Sequence, residues 1–554
     1  MEKLKPKLFS VMKTYTKEQF FKDIIAGIIV AIIALPLSIA LAIASGVAPE
    51  QGIFTAITAG FVISFLGGSR VQISGPTAAF ATIVAGIVAK NGMEGLIIAT
   101  ILAGIILIIM GLLRLGGLIK FIPYTITTGF TSGIAITILI GQIKDFFGLT
   151  VVSEEPLVET TEKLMGAFRS FSTINWQATA IGIACLLILI LWPKMPKFCK
   201  KIPPSLIAII VSIALVSGFN LNVNTIGDLY EISNKLPSFS IPSFNFATIQ
   251  KVFPDAVTIA ILAGIESLLS CVVSDNMIHS KHRSNMELVA QGAGNITSGL
   301  FGGIPATGAI ARTAANVKNG GRTPVSGMVH SVTLLLILVV LMPYATLIPM
   351  PAIAAILFMV AYNMSEWREF THLVKTAPKS DIIVLVTTFV LTIFFDLVVA
   401  IEVGFLLAAI LFMKRMSEVT EVEGWKYISN ESDEDDDPEY LALREVPAHT
   451  LVYEITGPMF FGAADKLLDI SVNEECNCLI LRMSGVTAID ATAMHNFDQL
   501  HRKCVKRDIT LILSHVHPQP LATMQKAGFD KEIGVENICA NIDLAIERAS
   551  ELQK

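Results

Sequence analysis

Glu266 is the single formally charged residue in the apolar run AVTIAILAGIESLLSCVVS, which is long enough to cross a bilayer. A carboxylate at mid-membrane depth costs at least about 2.5 kcal/mol, so a chain keeps one there for a function or as a neutral hydrogen-bonded acid between helices. Ser270 follows one helical turn later on the same face, where the pair could meet an ion or a proton.

Two further stretches could hold an anion. VQISGPTAAFATIVAGIVAK contains Thr77 and Ala78, and FGGIPATGAIARTAANVKNGGRTP contains Gly308, Ala309 and Arg312. Small side chains let backbone N–H groups approach a ligand, and a helix N-terminus offers unpaired donors and roughly half a positive charge. Thr77, Ala78, Gly308 and Ala309 are therefore expected to line an anion site. Arg312 is read either as a fixed charge drawing the anion in or as a structural ion pair towards the adjacent loop. No Walker A sequence or CxxC pair occurs, and His515 and His517 in HVHP have no further ligands nearby. No enzyme activity, catalytic residue, cofactor or metal is expected.

These residues need membrane helices to position them. Hydrophobic residues make up 53% of the chain and charged residues 16%, the composition of a polytopic α-helical membrane protein. Spans are expected at 24–44, 53–66, 71–90, 95–113, 123–147, 177–192 and 203–218, then at 255–275, 287–301, 305–317, 324–343, 350–362, 380–395 and 398–413. The third member of each set of seven is short and opens on a proline, Pro76 and Pro305, about 230 residues apart. Interrupted segments at matching positions of two halves point to a 7+7 inverted-repeat transporter. With fourteen crossings from a cytoplasmic N-terminus, one side receives Arg70, Arg114 with Lys120, Lys194 to Lys201, Lys281 with Arg283, Lys318 with Arg322, and Arg368 to Lys379. The other side receives Glu154, Glu155, Glu159 and Glu162.

The expected domains are an N-terminal segment 1–22, a membrane domain 23–415, an acidic linker 416–440 and a small α/β domain 441–554. Both termini are placed in the cytoplasm of a bacterium, the membrane being the inner one. The net charge of −5, with acids crowded near the C-terminus, argues against nucleic acid as a partner. Seven scattered cysteines read as reduced and structural.

Four long motifs in order, ALPLSIALAIASGVAPEQGIFTAI, GGSRVQISGPTAAF, GIESLLSCVVSDNM and FGGIPATGAIARTAANVKNGGRTPVSG, resemble the SulP anion transporters, relatives of solute carrier 26. Within that family, QIKDFFGL, NMSEWREF and APKSDIIV look closest to the bacterial aerobic C4-dicarboxylate transporters. The C-terminal domain is similar to a STAS domain.

The resemblance implies a mobile core of elements 1 to 4 and 8 to 11, moving like an elevator against a gate built from the rest. The anion would sit between the two short helices, with the Glu266 carboxylate and the Ser270 hydroxyl beside it. Sodium-coupled relatives carry an aspartate and a threonine where this chain has Glu266 and Ile310, a departure that favours protons. Proton-coupled uptake of a C4-dicarboxylate is expected, the alternatives being a sulfate or bicarbonate symporter or a passive anion channel. A homodimer is expected, and the STAS domain could bind a cytoplasmic protein. Thr492 sits at the phosphorylated position of antagonist-type STAS domains, in Asp490-Ala491-Thr492-Ala493 without the usual glycine.

Overall fold

The computed structural model describes residues 4–117, 123–151, 159–195, 202–230, 236–243, 245–395, 397–424, 446–470 and 476–553. Lys120, Glu154, Glu155, Cys199, Lys201 and the stretch 425–445, which holds most of the acidic linker, lie outside those residues. The chain forms two compact units, Met1–Phe405 and Leu406–Lys554. The division falls inside the helix Leu397–Val419.

Each expected membrane segment overlaps a helix, though those expected at 71–90 and 305–317 open in non-helical chain. Among the described residues, seven helices are long and apolar enough to cross a membrane, including Lys17–Ala44, Pro49–Leu66, Ala78–Leu112 and Phe246–Ile278. The third and fourth segments are two helices within Ala78–Leu112, joined through a kink at Gly92. Gly92 takes φ 68° there, a conformation glycine adopts without the penalty a Cβ would bring.

Two packed groups make up the membrane unit. In one, Lys17–Ala44, Pro49–Leu66, Ala78–Leu112, Phe246–Ile278, Ser284–Leu300, Ile310–Lys318 and Pro324–Leu341 pack on one another. In the other, Tyr124–Gly141, Trp176–Leu191, Pro204–Phe219, Met350–Met364 and Lys379–Phe394 do so. Between apolar helices in a bilayer, close packing of small residues holds the crossing together. Gly104 and Gly292 meet where Ala78–Leu112 crosses Ser284–Leu300, and a Cβ on Gly104 would lie 2.6 Å from the Gly292 carbonyl oxygen.

The connection that holds Lys281 and Arg283 meets the N-terminal segment. Lys7 Nζ donates to Lys281 O at 2.7 Å, its backbone N–H donates to Gly67 O at 2.8 Å, and Arg283 Nη1 donates to Lys5 O at 2.7 Å. Asp23, fully buried at the start of the first long helix, accepts the Arg322 N–H at 2.9 Å. Other connections in this unit run from Lys251 Nζ to Lys90 O at 3.5 Å and from Ser240 N–H to Leu300 O at 2.8 Å.

The C-terminal unit carries a five-stranded sheet. Strands β3 (Glu421–Gly424), β4 (Thr450–Thr456), β5 (Cys478–Gly485), β6 (Thr510–Ser514) and β7 (Ile538–Cys539) lie in that order, the first pair antiparallel and the rest parallel. Helices Ala491–Val505 and Pro518–Ala527 lie in the crossovers that the parallel pairs β5–β6 and β6–β7 require, and Ile542–Glu551 follows the last strand. Its core is the inward face of β5 and β6 with Phe497, Leu500, Met524 and Phe529, all buried.

Candidate anion site

Strands β1 (Ser74–Gly75) and β2 (Thr307–Gly308) are two residues each and pair antiparallel, Ser74 opposite Gly308 and Gly75 opposite Thr307. Each leads into an interrupted helix, Ala78–Leu112 and Ile310–Lys318, so two helix starts approach this ladder from opposite directions. Antiparallel pairing of equivalent segments is what an inverted repeat generates. The two prolines, however, are not equivalent. Pro76 falls between strand and helix, while Pro305 precedes its strand, where the missing N–H does not interrupt the ladder. The second short helix therefore begins at Ile310, later than the proline suggests.

Neither helix start has a side-chain cap, and the first N–H groups of a helix have no acceptor within it. The expected lining is met in part. Thr77 and Ala309 are partly exposed, but Ala78 and Gly308 are buried. The Ala309 N–H is taken by Ile73 O at 2.9 Å, and the Gly308 N–H points at Ser267 Oγ at 3.4 Å. The donors left for a ligand are those of Ala78 and Ala79 on one helix and of Ile310 and Ala311 on the other. Ile310, 45% exposed, sits at the open start of its helix.

Glu266 and Ser270 do not meet one another. Thr77 Oγ1 donates to Glu266 Oε2 at 3.0 Å, which ties the carboxyl group to the first helix start. Ser270 is buried and turned to Thr313 Oγ1 at 3.4 Å, on the second short helix. The hydroxyl beside the ladder belongs instead to Ser267, 2.9 Å from Thr307 Oγ1. Its position directly after Glu266 was the available signal, outweighed by the one-turn spacing to Ser270.

Arg312 makes no ion pair among the described residues. It is 3% exposed, and Nη2 donates to Pro76 O at 3.2 Å and to Ser38 Oγ at 3.4 Å, while Nη1 has no acceptor. The guanidinium thus lies against the carbonyl just ahead of the first helix start, not towards the loop. Gly75 lets the guanidinium approach this closely, since a Cβ on it would stand 2.6 Å from Nη1 and the Arg312 side chain would have to shift. Behind the ladder, Glu287 was not singled out by its sequence context. It accepts the Gly68 and Ser69 N–H groups at 2.8 and 3.0 Å and the Gln72 and Gln291 amides at 2.8 and 3.0 Å, and so fixes the turn leading into β1.

Two helix starts on a crossed ladder, with a buried guanidinium behind them, belong to a fold seen elsewhere. The murine solute carrier 26 member A9 anion transporter, in its inward-facing state, superposes with a TM-score of 0.88 over 98% of this chain and 94% of that one, at 17% identity. The pattern of the sulfate permease family matches residues 20–388, and that of the STAS domain matches 440–545. The chain belongs to the sulfate permease family.

YvdB of Bacillus subtilis (strain 168), provisionally named for sulfate transport, is 40% identical over 535 residues, covering 95% of this chain and 97% of the relative. The bicarbonate transporter BicA of Picosynechococcus sp. is 29% identical over 545 residues, covering 95% and 94%. Like other members of the sulfate permease family with a STAS domain, this chain is a multi-pass membrane anion transporter. In the STAS domain, Thr492 is exposed in the first turn of Ala491–Val505. Asp490 caps that helix, accepting the Ala493 N–H at 2.9 Å and the Phe461 N–H at 2.8 Å.

Proposed function

We propose that the chain is a secondary active transporter of a small inorganic oxyanion, sulfate or bicarbonate, coupled to protons through Glu266. The observation that carries the reading is the β1–β2 ladder with an uncapped helix start at each side. N–H donors and helix dipoles bind an oxyanion without demanding a particular side chain. The C4-dicarboxylate expectation draws on three short motifs. Membership of the sulfate permease family, together with relatives named for sulfate and bicarbonate, favours the inorganic anion.

In this reading Glu266 gates by charge. Ionised, it repels an anion at the Thr77 end of the ladder; protonated, it does not, so anion and proton occupancy rise together. Arg312 supplies a permanent positive field from behind Pro76. The packed group that carries both short helices would move as one body against the other group, taking anion and proton together. The N-terminal segment and the STAS domain are placed in the cytoplasm, on the side with the basic loops.

Purified protein in proteoliposomes, supplied with labelled sulfate, bicarbonate or succinate under an imposed proton or sodium gradient, tests this. Uphill uptake of sulfate or bicarbonate driven by protons is the expected result. Uptake of succinate alone would restore the dicarboxylate reading, an absolute need for sodium would remove proton coupling, and purely downhill flux would indicate a channel.

A further inference from the structure

A cavity of about 270 Å³ lies at the end of the membrane unit where the N-terminal segment folds back on it. Its walls are Val11, Thr14, Tyr15, Thr16 and Gln19 of that segment, with Arg70, Ile278, Arg322 and Thr323. Two guanidinium groups and several hydroxyls therefore face one space into which no carboxylate projects.

The nearby acids are spent elsewhere. Asp23 accepts from Tyr15 Oη at 3.0 Å, Gln19 Nε2 at 2.9 Å, the Arg322 N–H at 2.9 Å and Thr323 Oγ1 at 2.5 Å. Asp275 is paired with the His282 ring at 2.7 Å and accepts the His282 N–H at 2.6 Å. Arg322 Nη1 donates to Val317 O at 2.7 Å and Gly321 O at 2.8 Å, which aims the guanidinium without neutralising it. Arg70 makes no hydrogen bond or ion pair with a described residue, and its Nε is buried without an acceptor. Burial, joined by the Arg283 and Arg70 charges and opposed by that of Asp275, pushes the Lys7 ammonium below its ordinary range.

Arg70 is partly buried, and its Nε, closed off from water without an acceptor, carries a cost that an anion would relieve; the guanidinium fork matches the oxygens of a phosphoryl group. We propose that this cavity binds a phosphoryl group, carried on a lipid headgroup or free in solution. Val11 and Ile278 give the cavity an apolar side, and Phe20 and Phe21, 42% and 64% exposed, stand next to it at the start of the first long helix. Aromatic residues in that setting sit at a membrane interface, within reach of a headgroup. Arg70 lies just before β1 and Arg322 just after Ile310–Lys318, so an occupied cavity braces the connections of both interrupted helices against the N-terminal segment.

The test uses the full-length chain with two probes. Native mass spectrometry after exposure to phosphatidylcholine vesicles with or without phosphatidic acid reads the lipid, and equilibrium binding of radiolabelled inorganic phosphate in detergent reads the free ion. The Arg70 side chain makes no hydrogen bond or ion pair with a described residue, so Arg70→Gln should leave the fold intact and weaken the bound probe by roughly tenfold or more, with Arg70→Lys falling between. Retention of phosphatidic acid alone assigns the lipid source; binding of phosphate in detergent assigns the free one. Failure of the wild type to bind either, or equal binding by wild type and Arg70→Gln, would overturn the proposal.

Discussion

Thr77 Oγ1 donates to Glu266 Oε2 at 3.0 Å, joining the residue ahead of one interrupted helix to the carboxyl group in the middle of another. The bond puts the proposed proton carrier beside the first helix start, where the anion is proposed to bind. Thr77→Val keeps the shape and removes the donor, so it should alter the pH at which substrate affinity rises more than it alters maximal transport. Glu266→Gln should still bind and exchange anion while losing accumulation driven by a proton gradient. Measuring affinity against pH for both variants checks the pair; proton-driven accumulation retained in Glu266→Gln would refute the coupling role.

Gly75 leaves room for the Arg312 guanidinium. A Cβ at 2.6 Å from Nη1 must push the guanidinium off Pro76 O or distort the ladder. Gly75→Ala should raise the substrate KM by roughly tenfold, the scale of one lost charge-assisted hydrogen bond. Arg312→Gln should weaken binding at least as much, and the double variant should be little worse than Arg312→Gln alone. Additive losses would mean that Gly75 acts independently of Arg312.

Much of this arrangement was legible in the chain. Apolar run lengths placed the helices, and the Gly- and Pro-broken stretches around Pro76 and Pro305 marked the two interruptions. The ladder was not legible, because strands of two residues have no periodicity to read. The proline equivalence failed for a related reason: a proline is equally at home ahead of a strand or a helix, and only pairing shows which it precedes. Ser270 was placed with Glu266 because they share a helix face. Which neighbouring element each residue meets depends on the crossing angle, and that sends Glu266 to Thr77 and Ser270 to Thr313. Asp23 and Glu287 gather donors from residues far away in sequence, which no local pattern reveals.

The crossing at Gly104 and Gly292 should tolerate little added bulk. Gly104→Val would force the two helices apart, and overpacking of this kind costs about 1–3 kcal/mol. The expected outcome is a lower unfolding temperature and lower yield with unchanged substrate specificity in the surviving protein. By contrast Gly86, where an added Cβ meets nothing within 4 Å, should accept alanine with no measurable change in unfolding temperature. Scanning fluorimetry of the three proteins distinguishes these outcomes.

The STAS domain should lose stability on the alkaline side, because its thiols are buried as neutral groups. Burial pushes Cys478 up to about 12 and Cys504 up to about 11, with the nearby Cys476 adding to both. An unfolded thiol ionises near about 8.5. As pH rises past that value the unfolded chain releases protons that the folded domain still holds, so stability falls with pH until the folded values are reached. Heating the full-length protein with a thiol-reactive dye should expose these cysteines at a lower temperature at about pH 10 than at about pH 8, and Cys478→Ala should shrink the difference. At low temperature Cys476 and Cys504, 6% and 0% exposed, should not react at all. A cysteine placed at Val535, 66% exposed, is the one to use for finding which side of the membrane the domain faces. An equal exposure temperature at both pH values would show that the thiols do not titrate with unfolding.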